Sequence, residues 1–208
     1  MNNSDITIKA YNKNAGKYED KFMDFKTYKE KIQIFSDKYI YKYSEILDIG
    51  CGPGNNAKLI YEADKTVEIT GIDLSPEMVE IAKKNAPDSD FEVQDIRNIA
   101  LDKQYDAIIA SFCIVHLSDD ETHELIKTIS KILKKNGTLY LSFMEGKEAG
   151  LETTSFSEDE LFFNYYERSK MRKLLSDNLI LTVEMSSEGY EETDGSSTED
   201  VFFYARKI

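Results

Sequence analysis

The chain has 208 residues, 41% of them hydrophobic, which is enough for a single domain with a packed core. Its formal net charge of −13 disfavours nucleic acid or an anionic membrane as a partner, because an acidic surface repels polyanions. No apolar run is long enough to span a membrane, and the first residues lack the basic and apolar regions of a signal peptide. Cys51 and Cys113 form no CxxC pair, so neither disulfides nor a metal site are expected, and a cytoplasmic location fits.

Residues 1–42 have a helical pattern rich in Tyr and Lys and are expected to form a helical cap before the first strand. Residues 43–144 then alternate short apolar runs with helical patterns. The predicted strands of this core are Glu45–Ile49, Val67–Ile72, Phe91–Val93, Tyr105–Ser111 and Thr138–Phe143. The predicted helices are Asn55–Ala63, one that starts at Ser75-Pro76, and one that starts at the capping box of Ser118 and Glu121 and ends at Asn136-Gly137.

The last third of the chain begins with a second capping-box pattern, Ser157 with Glu160, which predicts a helix to about Ser176. Residues 179–208 are expected to form an antiparallel hairpin of strands Leu179–Met185 and Val201–Arg206, with the polar stretch Ser186–Asp200 as a solvated loop. The alternation of strands and helices predicts one α/β domain, 1–208, with a doubly wound, mainly parallel, seven-stranded Rossmann-like sheet. The hairpin would lie at one edge of this sheet.

The most informative segment is the glycine-rich run Leu47-Asp48-Ile49-Gly50-Cys51-Gly52-Pro53-Gly54, which follows a strand and opens a helix. In doubly wound sheets a nucleotide-like ligand lies at such a junction, and glycines let the backbone approach it closely. Asp73 ends the next strand about 20 residues further on, where a carboxylate can accept hydrogen bonds from both ribose hydroxyls. A structural turn, with Asp73 as a helix cap, is the alternative.

The spacing G-x-G-x-G differs from the G-x-G-x-x-G of dinucleotide folds, and the loop has no basic phosphate clamp. With Asp48 before it, the loop resembles motif I of the class I S-adenosylmethionine-dependent methyltransferases. The resemblance extends over about residues 40–145. Four further segments match family motifs in order: Gly71–Met78 the ribose motif, Phe91–Ile96 the adenine motif, Tyr105–Ser111 with His116–Asp119 the fourth-strand motif, and Leu133–Leu139 the turn into the fifth strand.

The resemblance implies S-adenosylmethionine as the cofactor, and a cationic sulfonium fits a site lined by carboxylates. It implies that Asp48 shapes the loop and faces the methionine amine, directly or through water. The other implied contacts are Gly50, Cys51 and Gly52 with the methionine and ribose, Asp73 with the ribose, Leu74 and Met78 with the adenine face, Asp95 with the adenine amino group, Ile96 with a face of the ring, and Ser111 and Phe112 with the methionine part.

Two residues are candidates for catalysis. His116 lies just past the fourth strand and has the titration range of a general base, or else it orders the turn or touches the cofactor. Tyr11 and Tyr18, with Ala15 between them, resemble a Tyr-x-x-x-Ala-x-x-Tyr element that covers the cofactor in many small-molecule methyltransferases. Tyr18 would then touch the methionine end or the acceptor, or else pack a helix on the sheet. Cys113 is expected to be a core or pocket-wall thiol.

The acceptor side is expected within residues 145–178. Its Glu145–Phe156 segment is predicted to be a lid, and the aromatic residues Phe162, Phe163, Tyr165 and Tyr166 either pack in the core or wall the acceptor pocket. The predicted function is methyl transfer by in-line displacement to an oxygen or nitrogen of a small molecule. The alternatives are a protein or tRNA acceptor, a non-catalytic S-adenosylmethionine-binding protein, and a nicotinamide-dependent oxidoreductase. The acceptor and the oligomeric state remain open.

Overall fold

The computed structural model describes residues 3–191 and 197–208. Within these ranges no helix is long and apolar enough to cross a membrane. The helices are α1 (Asn3–Phe22), α2 (Lys26–Tyr39), α3 (Asn55–Ala63), α4 (Pro76–Asn85), α5 (Asp119–Ile132) and α6 (Arg168–Asp177). The strands are β1 (Glu45–Ile49), β2 (Glu68–Asp73), β3 (Asp90–Val93), β4 (Tyr105–Ser111), β5 (Leu133–Glu145), β6 (Gly150–Thr154), β7 (Ser157–Phe163), β8 (Ile180–Glu191) and β9 (Ser197–Lys207).

Seven strands form one sheet in the order β3-β2-β1-β4-β5-β9-β8. Strand β9 runs antiparallel to both of its neighbours, whereas the other pairs are parallel. This arrangement confirms the predicted doubly wound sheet with a C-terminal hairpin at one edge. The strand order reverses between β1 and β4, and ligands of such sheets lie at this switch point, outside the carboxyl ends of the strands.

Two of the predicted helix starts are confirmed. In α4, Ser75 caps the helix by accepting a hydrogen bond from the Met78 amide at 3.2 Å, and Pro76 occupies the first turn. In α5, Ser118 and Glu121 form the predicted capping box. Because both helices start directly after a sheet strand or its following turn, their caps hold the chain close to the carboxyl edge of the sheet.

The N-terminal segment is helical as predicted, and α1 is tied to β7. Helix α1 is bent at Asn14, whose side-chain amide donates to the Ala10 carbonyl at 2.9 Å and to the Ser157 hydroxyl at 3.0 Å. The Phe162 amide of β7 donates to the Thr7 hydroxyl at 3.1 Å. These buried and half-buried hydrogen bonds hold α1 and the β6–β7 hairpin together as one wall.

The predicted helix from Ser157 is wrong, because this segment is the second strand of the β6–β7 hairpin. Thr154 pairs with Ser157, so Ser155 and Phe156 form the turn, and the predicted lid segment is the end of β5 followed by β6 and that turn. The Ser157 hydroxyl accepts from the Asp159 amide at 3.0 Å, which is a local turn contact and not a helix cap. The helix begins only at Arg168.

Two further boundaries differ from the prediction. Helix α5 ends at Ile132, before the predicted Asn136-Gly137 stop, and β5 already begins at Leu133. The predicted Ser186–Asp200 loop is mostly strand, since β8 continues to Glu191 and β9 begins at Ser197. Hydrogen bonds between the β8 and β9 backbones hold the two strands together, so polar side chains do not prevent this segment from forming strands. Residues 1–2 of the predicted cap and 192–196 of the predicted loop lie outside the described residues.

Candidate active site

The glycine run forms a tight bend at the carboxyl end of β1. Gly50 and Gly52 have φ angles of 67° and 52°. The amides of Gly50 and Cys51 both donate to the Ile72 carbonyl, at 2.8 and 3.0 Å, which fastens the bend to β2. A Cβ atom on Gly50 would lie 2.5 Å from the Cβ atom of Cys113. Glycine is therefore required at position 50 both for its backbone conformation and for the space that Cys113 occupies.

Asp73 stands at the end of β2 and faces this bend. Its Oδ2 atom accepts from the Gly52 amide and its Oδ1 atom from the Ser75 amide, both at 2.9 Å. Burial raises the pKa of Asp73, and these backbone hydrogen bonds oppose the rise. A carboxylate oxygen has two lone pairs, so each oxygen of Asp73 can still accept a hydrogen bond from a ligand hydroxyl.

A cavity opens between this carboxylate, α1 and the carboxyl ends of β2 and β4. Its empty volume, counted out to the open mouth, is about 760 Å³. Most of the predicted site residues line it: Tyr18, Gly50, Gly52, Asp73, Leu74, Met78, Asp95, Ile96, Ser111, Phe112 and His116. The structure thus brings together side chains that the sequence spreads over about half of the chain.

Two predicted cofactor residues lie elsewhere. Cys51 lines an adjoining chamber instead of this cavity. Asp48 is fully buried, lines neither space, and has no hydrogen-bond partner for either oxygen among the described residues. Burial raises the pKa of Asp48 to about 7, the charge of Asp73 adds to the rise, and the Asn56 side chain opposes it. The predicted contact of Asp48 with the methionine amine therefore stays a prediction.

The sequence analysis missed Arg97, which also lines the cavity. Its guanidinium donates to both oxygens of Asp95, from Nε to Oδ1 at 2.9 Å and from Nη2 to Oδ2 at 2.6 Å, and to Glu121 at 2.8 Å. These hydrogen bonds lower the pKa of Asp95 and keep it ionised. Arg97 thereby positions Asp95, the residue predicted to meet the adenine amino group. The short Asp-x-Arg spacing is the signal that could have indicated this pair.

Phe112 holds an unusual backbone conformation at the end of β4. Its φ angle is 51°, in the left-handed region that a bulky residue rarely adopts. Its amide donates to the Ser142 hydroxyl at 3.0 Å, and its ring packs on Tyr28 with the ring centres 4.7 Å apart. Both contacts fix the Phe112 ring where the cavity meets the adjoining chamber.

His116 is held by hydrogen bonds at both ring nitrogens. Its Nδ1 atom lies 2.8 Å from the Phe162 carbonyl oxygen, and its Nε2 atom lies 2.8 Å from the Tyr11 hydroxyl. A carbonyl oxygen only accepts, so Nδ1 carries the proton and Nε2 accepts from Tyr11. Burial lowers the pKa of His116 to about 4, and the Phe162 carbonyl opposes this shift. The imidazole is therefore neutral at pH 7. Tyr11 was seen in the sequence only as part of the tyrosine element.

A second chamber of about 890 Å³, open volume included, adjoins the cavity; its described lining residues are Tyr11, Tyr18, Phe22, Tyr28, Gly50, Cys51, Gly52, Pro53, Asn55, Asn56, Ser111, Phe112, Val115, His116, Met144, Thr154, Ser155, Phe156, Phe163 and Asp200. Seven of the described residues line both spaces, namely Tyr11, Tyr18, Gly50, Gly52, Ser111, Phe112 and His116. We call the second space the acceptor chamber. Of the aromatic residues whose role was open, Phe163 lines the chamber, whereas Tyr166 is buried and donates to the Ile114 carbonyl at 2.8 Å.

Cys113 lines the cavity behind the glycine bend. Burial raises the pKa of its thiol, and the charge of Asp48 adds to the rise. A thiol that stays protonated at neutral pH is a poor nucleophile. These observations support the predicted role of Cys113 as a wall residue.

Comparison with known proteins agrees with this fold. Residues 46–137 match the model of a methyltransferase domain family. Protein 235L of Invertebrate iridescent virus 6 is 29% identical over 163 residues, which are 76% of this chain and 57% of that protein. The trans-aconitate 2-methyltransferase of Escherichia coli is 36% identical over 94 residues, 45% of this chain and 36% of the enzyme. The chain thus spans about half, or less, of the length of these relatives.

Solved structures show the same fold over the whole chain. The magnesium protoporphyrin IX methyltransferase of Synechocystis, crystallised with bound S-adenosylmethionine, has a TM-score of 0.73, is 16% identical, and covers 100% of this chain and 98% of its own. The 1,6-didemethyltoxoflavin N1-methyltransferase of Burkholderia thailandensis has a TM-score of 0.68 at 15% identity, with 100% and 91% of the chains covered. At such identities the likeness establishes the fold.

A seven-stranded sheet of this order, with a glycine bend after β1 and a carboxylate after β2, defines the class I S-adenosylmethionine-dependent methyltransferase architecture. The matched family model covers this same core. Residues 46–137 thus match a methyltransferase domain family, and the chain as a whole has the fold that S-adenosylmethionine-dependent methyltransferases share.

Proposed function

We propose that the protein transfers a methyl group from S-adenosylmethionine to an oxygen or nitrogen of a small-molecule acceptor. The observation that carries the proposal is the pair of adjoining spaces, with Asp73 in one and aromatic side chains around the other, separated by a shared wall that contains Tyr11, Tyr18 and His116. A donor and an acceptor bound on the two sides of such a wall could meet there. A recessed chamber lined by side chains from several elements favours a small molecule over a protein or a tRNA.

The residues of the cavity fit this cofactor. Asp73 offers two carboxylate oxygens to the ribose hydroxyls, and Leu74, Met78 and Ile96 offer an apolar wall to the adenine ring. Asp48 does not line the cavity, but its buried carboxylate lies two residues before Gly50 in the chain and would favour a positive charge near the bend. Among the described lining residues of the cavity, Arg97 is the one guanidinium or ammonium group, and it is engaged by Asp95 and Glu121. A site of this kind suits a cationic ligand better than a dinucleotide pyrophosphate.

S-adenosylmethionine supplies a methyl group on a positively charged sulfur that is already a good leaving group. The protein therefore has to orient the acceptor, exclude water and, for some acceptors, take a proton. The aromatic side chains of the shared wall would exclude water, and Phe112, fixed by Ser142 and Tyr28, would orient the acceptor.

We assign proton removal to His116 acting with Tyr11. The Nε2 atom of His116 is an unprotonated acceptor at neutral pH, and the Tyr11 hydroxyl 2.8 Å away lies in both spaces. Because Nε2 already accepts from Tyr11, a proton that leaves the acceptor would pass to the Tyr11 oxygen while the Tyr11 hydroxyl proton passes to Nε2. Tyr18 would cover the methionine end, since its ring lies 3.8 Å from where a Cβ atom on Gly52 would stand.

Two measurements test the proposal. Calorimetry should give micromolar binding of S-adenosylhomocysteine, the demethylated product, and no binding of NAD. Incubation of the protein with isotopically labelled S-adenosylmethionine and cell extract should then yield a methylated small molecule by mass spectrometry. Tight binding of NAD would overturn the cofactor assignment. Cofactor binding without any methylated product from a broad set of extracts would favour a non-catalytic S-adenosylmethionine-binding protein.

A further inference from the structure

Seven of the twenty described lining residues of the acceptor chamber are Tyr or Phe, and they come from separate elements. Tyr18 and Phe22 lie on α1, Tyr28 on α2, and Phe156 in the β6–β7 turn. The rings contact one another: the centres of Tyr18 and Phe156 are 5.1 Å apart, and those of Tyr18 and Phe22 are 4.6 Å apart. Such a wall favours a compact apolar body, and its ring faces also attract cations.

One carboxylate lines this aromatic chamber. Asp200 of β9 is only 5% exposed and stands opposite Met144 of β5, which also lines the chamber. The Tyr28 hydroxyl donates to its Oδ2 atom at 2.8 Å, and Tyr190 is a second hydrogen-bonding neighbour. Asp200 therefore already has hydrogen-bonding partners, and what its carboxylate offers to a ligand in the chamber is its negative charge.

The chamber offers no positive charge to balance an anionic ligand. Among its described lining residues there is no lysine or arginine, and His116 is neutral at pH 7 because burial lowers its pKa to about 4. A carboxylate or phosphate in this chamber would face Asp200 without a counter-charge, which is costly in a space of low dielectric constant. An ammonium group there would gain both a carboxylate and aromatic faces.

We propose that the methyl acceptor is a compact aromatic amine, whose ammonium group is held by Asp200 and the rings of the acceptor chamber. This inference rests on the proposed function, because it identifies what the chamber binds beside the methyl donor. It concerns recognition of the acceptor, and the methylated atom can be another oxygen or nitrogen of the same molecule. Acidic acceptors of the same size are excluded by the same charge.

The test measures binding of matched probes to the full chain saturated with S-adenosylhomocysteine at pH 7. The probes are 2-phenylethylamine, 2-phenylethanol and 3-phenylpropionate, with the corresponding indolyl and cyclohexyl compounds, each titrated by calorimetry. We expect the aromatic amines to bind at least tenfold more tightly than the carboxylates of the same skeleton. The alcohols should fall between them, and the flat aromatic skeletons should bind better than cyclohexyl.

The variant Asp200→Asn should weaken amine binding at least tenfold while its affinity for S-adenosylhomocysteine stays unchanged. The matched control is Glu199→Gln, because the neighbouring carboxylate pairs with Arg168 at 2.6 Å and does not line the chamber. This control should bind the amines as the wild type does. The wild-type comparison of amines with carboxylates needs no variant, so it decides the question even where Asp200→Asn fails to fold.

Equal or tighter binding of the carboxylates, a panel without any binder, or full amine affinity in folded Asp200→Asn would overturn the inference. The failure of the proposed function has a different signature, namely the absence of S-adenosylhomocysteine binding by the wild type. Binding of S-adenosylhomocysteine without a preference for amines would refute the acceptor class alone.

Discussion

At the scale of single residues, the site depends on positions where one side chain, or its absence, meets two requirements at once. Gly50 has to adopt a positive φ angle and to leave room for Cys113. Asp73 has to hold the Gly52 amide and to keep capacity for a ligand. His116 has to donate to Phe162 so that its other nitrogen can accept. A substitution at such a position is expected to remove two contributions at once, and which measurement detects the loss depends on the residue.

Gly50→Ala is expected to lower the free energy of unfolding by about 2–4 kcal/mol, because the new methyl group would meet Cys113 and the backbone would be strained. Urea unfolding of both proteins measures this loss. The control is Gly150→Ala, where a Cβ atom meets nothing within 4 Å. This control should change the stability by less than about 0.5 kcal/mol. Wild-type stability of Gly50→Ala would contradict the packing argument.

Asp73→Ala is expected to weaken S-adenosylhomocysteine binding by at least about 1.5 kcal/mol, because two charge-assisted hydrogen bonds to the ribose would be lost. Calorimetry on the folded variant is the measurement. Glu77→Ala is the matched control, since Glu77 is an exposed acid in the first turn of α4. It should bind as the wild type does, and an unchanged affinity of Asp73→Ala would refute the ribose assignment.

His116→Ala is expected to reduce turnover by about 100-fold once an acceptor is in hand, while affinity for S-adenosylhomocysteine stays close to wild type. The wild-type rate should fall only as the pH approaches the His116 pKa of about 4, because the imidazole is unprotonated and can act as a base above that value. His123→Ala is the control, as His123 lies on the exposed side of α5. A rate equal to that of the wild type would remove His116 from the reaction.

At the scale of elements, the sequence correctly predicts helix starts that are determined by neighbouring residues in the chain. The caps at Ser75 and Ser118 are read from neighbouring residues and are present in the structure. The same Ser-x-x-Glu pattern at Ser157 is misleading, because the Ser157 hydroxyl is used by Asn14, 143 residues away, and by the Asp159 amide. Because the Ser157 hydroxyl is engaged by a residue far away in the sequence, the four-residue motif does not start a helix here.

Asn14→Ala tests the tie between α1 and β7. The variant is expected to lose about 1–2 kcal/mol of stability, because the buried hydrogen bonds from Asn14 to the Ala10 carbonyl and to the Ser157 hydroxyl would be lost. Hydrogen exchange should rise in α1 and β7 more than in β1 and β4. Lys13→Ala is the control, because Lys13 forms an exposed ion pair with Asp159. The Lys13 side chain is 68% exposed and the Asp159 side chain is 36% exposed. Removal of this pair should cost less than about 0.5 kcal/mol, and an equal loss in both variants would contradict the assignment.

At the scale of the whole molecule, the order of strands is the part of the structure that the sequence predicts best. Alternating strands and helices allow few topologies, and the glycine run with Asp73 locates the ligand edge. The contacts across the site were not predictable in this way. Tyr11 and His116 are 105 residues apart, and Tyr28 and Asp200 are 172 residues apart. No local pattern pairs such positions before the fold is known.

Two buried groups should give the stability of the molecule opposite dependences on pH. Burial raises the pKa of Asp48 from 3.8 to about 7, so the stability that it contributes is present below pH 3.8 and is lost as the pH rises to 7. Burial lowers the pKa of His116 from 6.5 to about 4, so its contribution is present above pH 6.5 and is lost as the pH falls to 4.

Urea unfolding between pH 5 and 7 separates these contributions, because each variant removes one of them. Relative to the wild type, Asp48→Asn should gain stability as the pH rises, and His116→Gln should lose stability over the same interval. Parallel curves for all three proteins would contradict both assignments. A change in only one variant would leave the other residue with an ordinary pKa.

The acceptor chamber combines two kinds of sequence. The matched family model begins at residue 46 and ends at residue 137, and it includes the glycine bend and His116, whereas Tyr18, Tyr28, Phe156 and Asp200 of the chamber all lie outside it. Similarity confined to the matched core therefore carries no information on these four positions. A transplant of α2 and the β6–β7 hairpin from a relative should change what the chamber binds while Asp73 and the glycine bend stay in place.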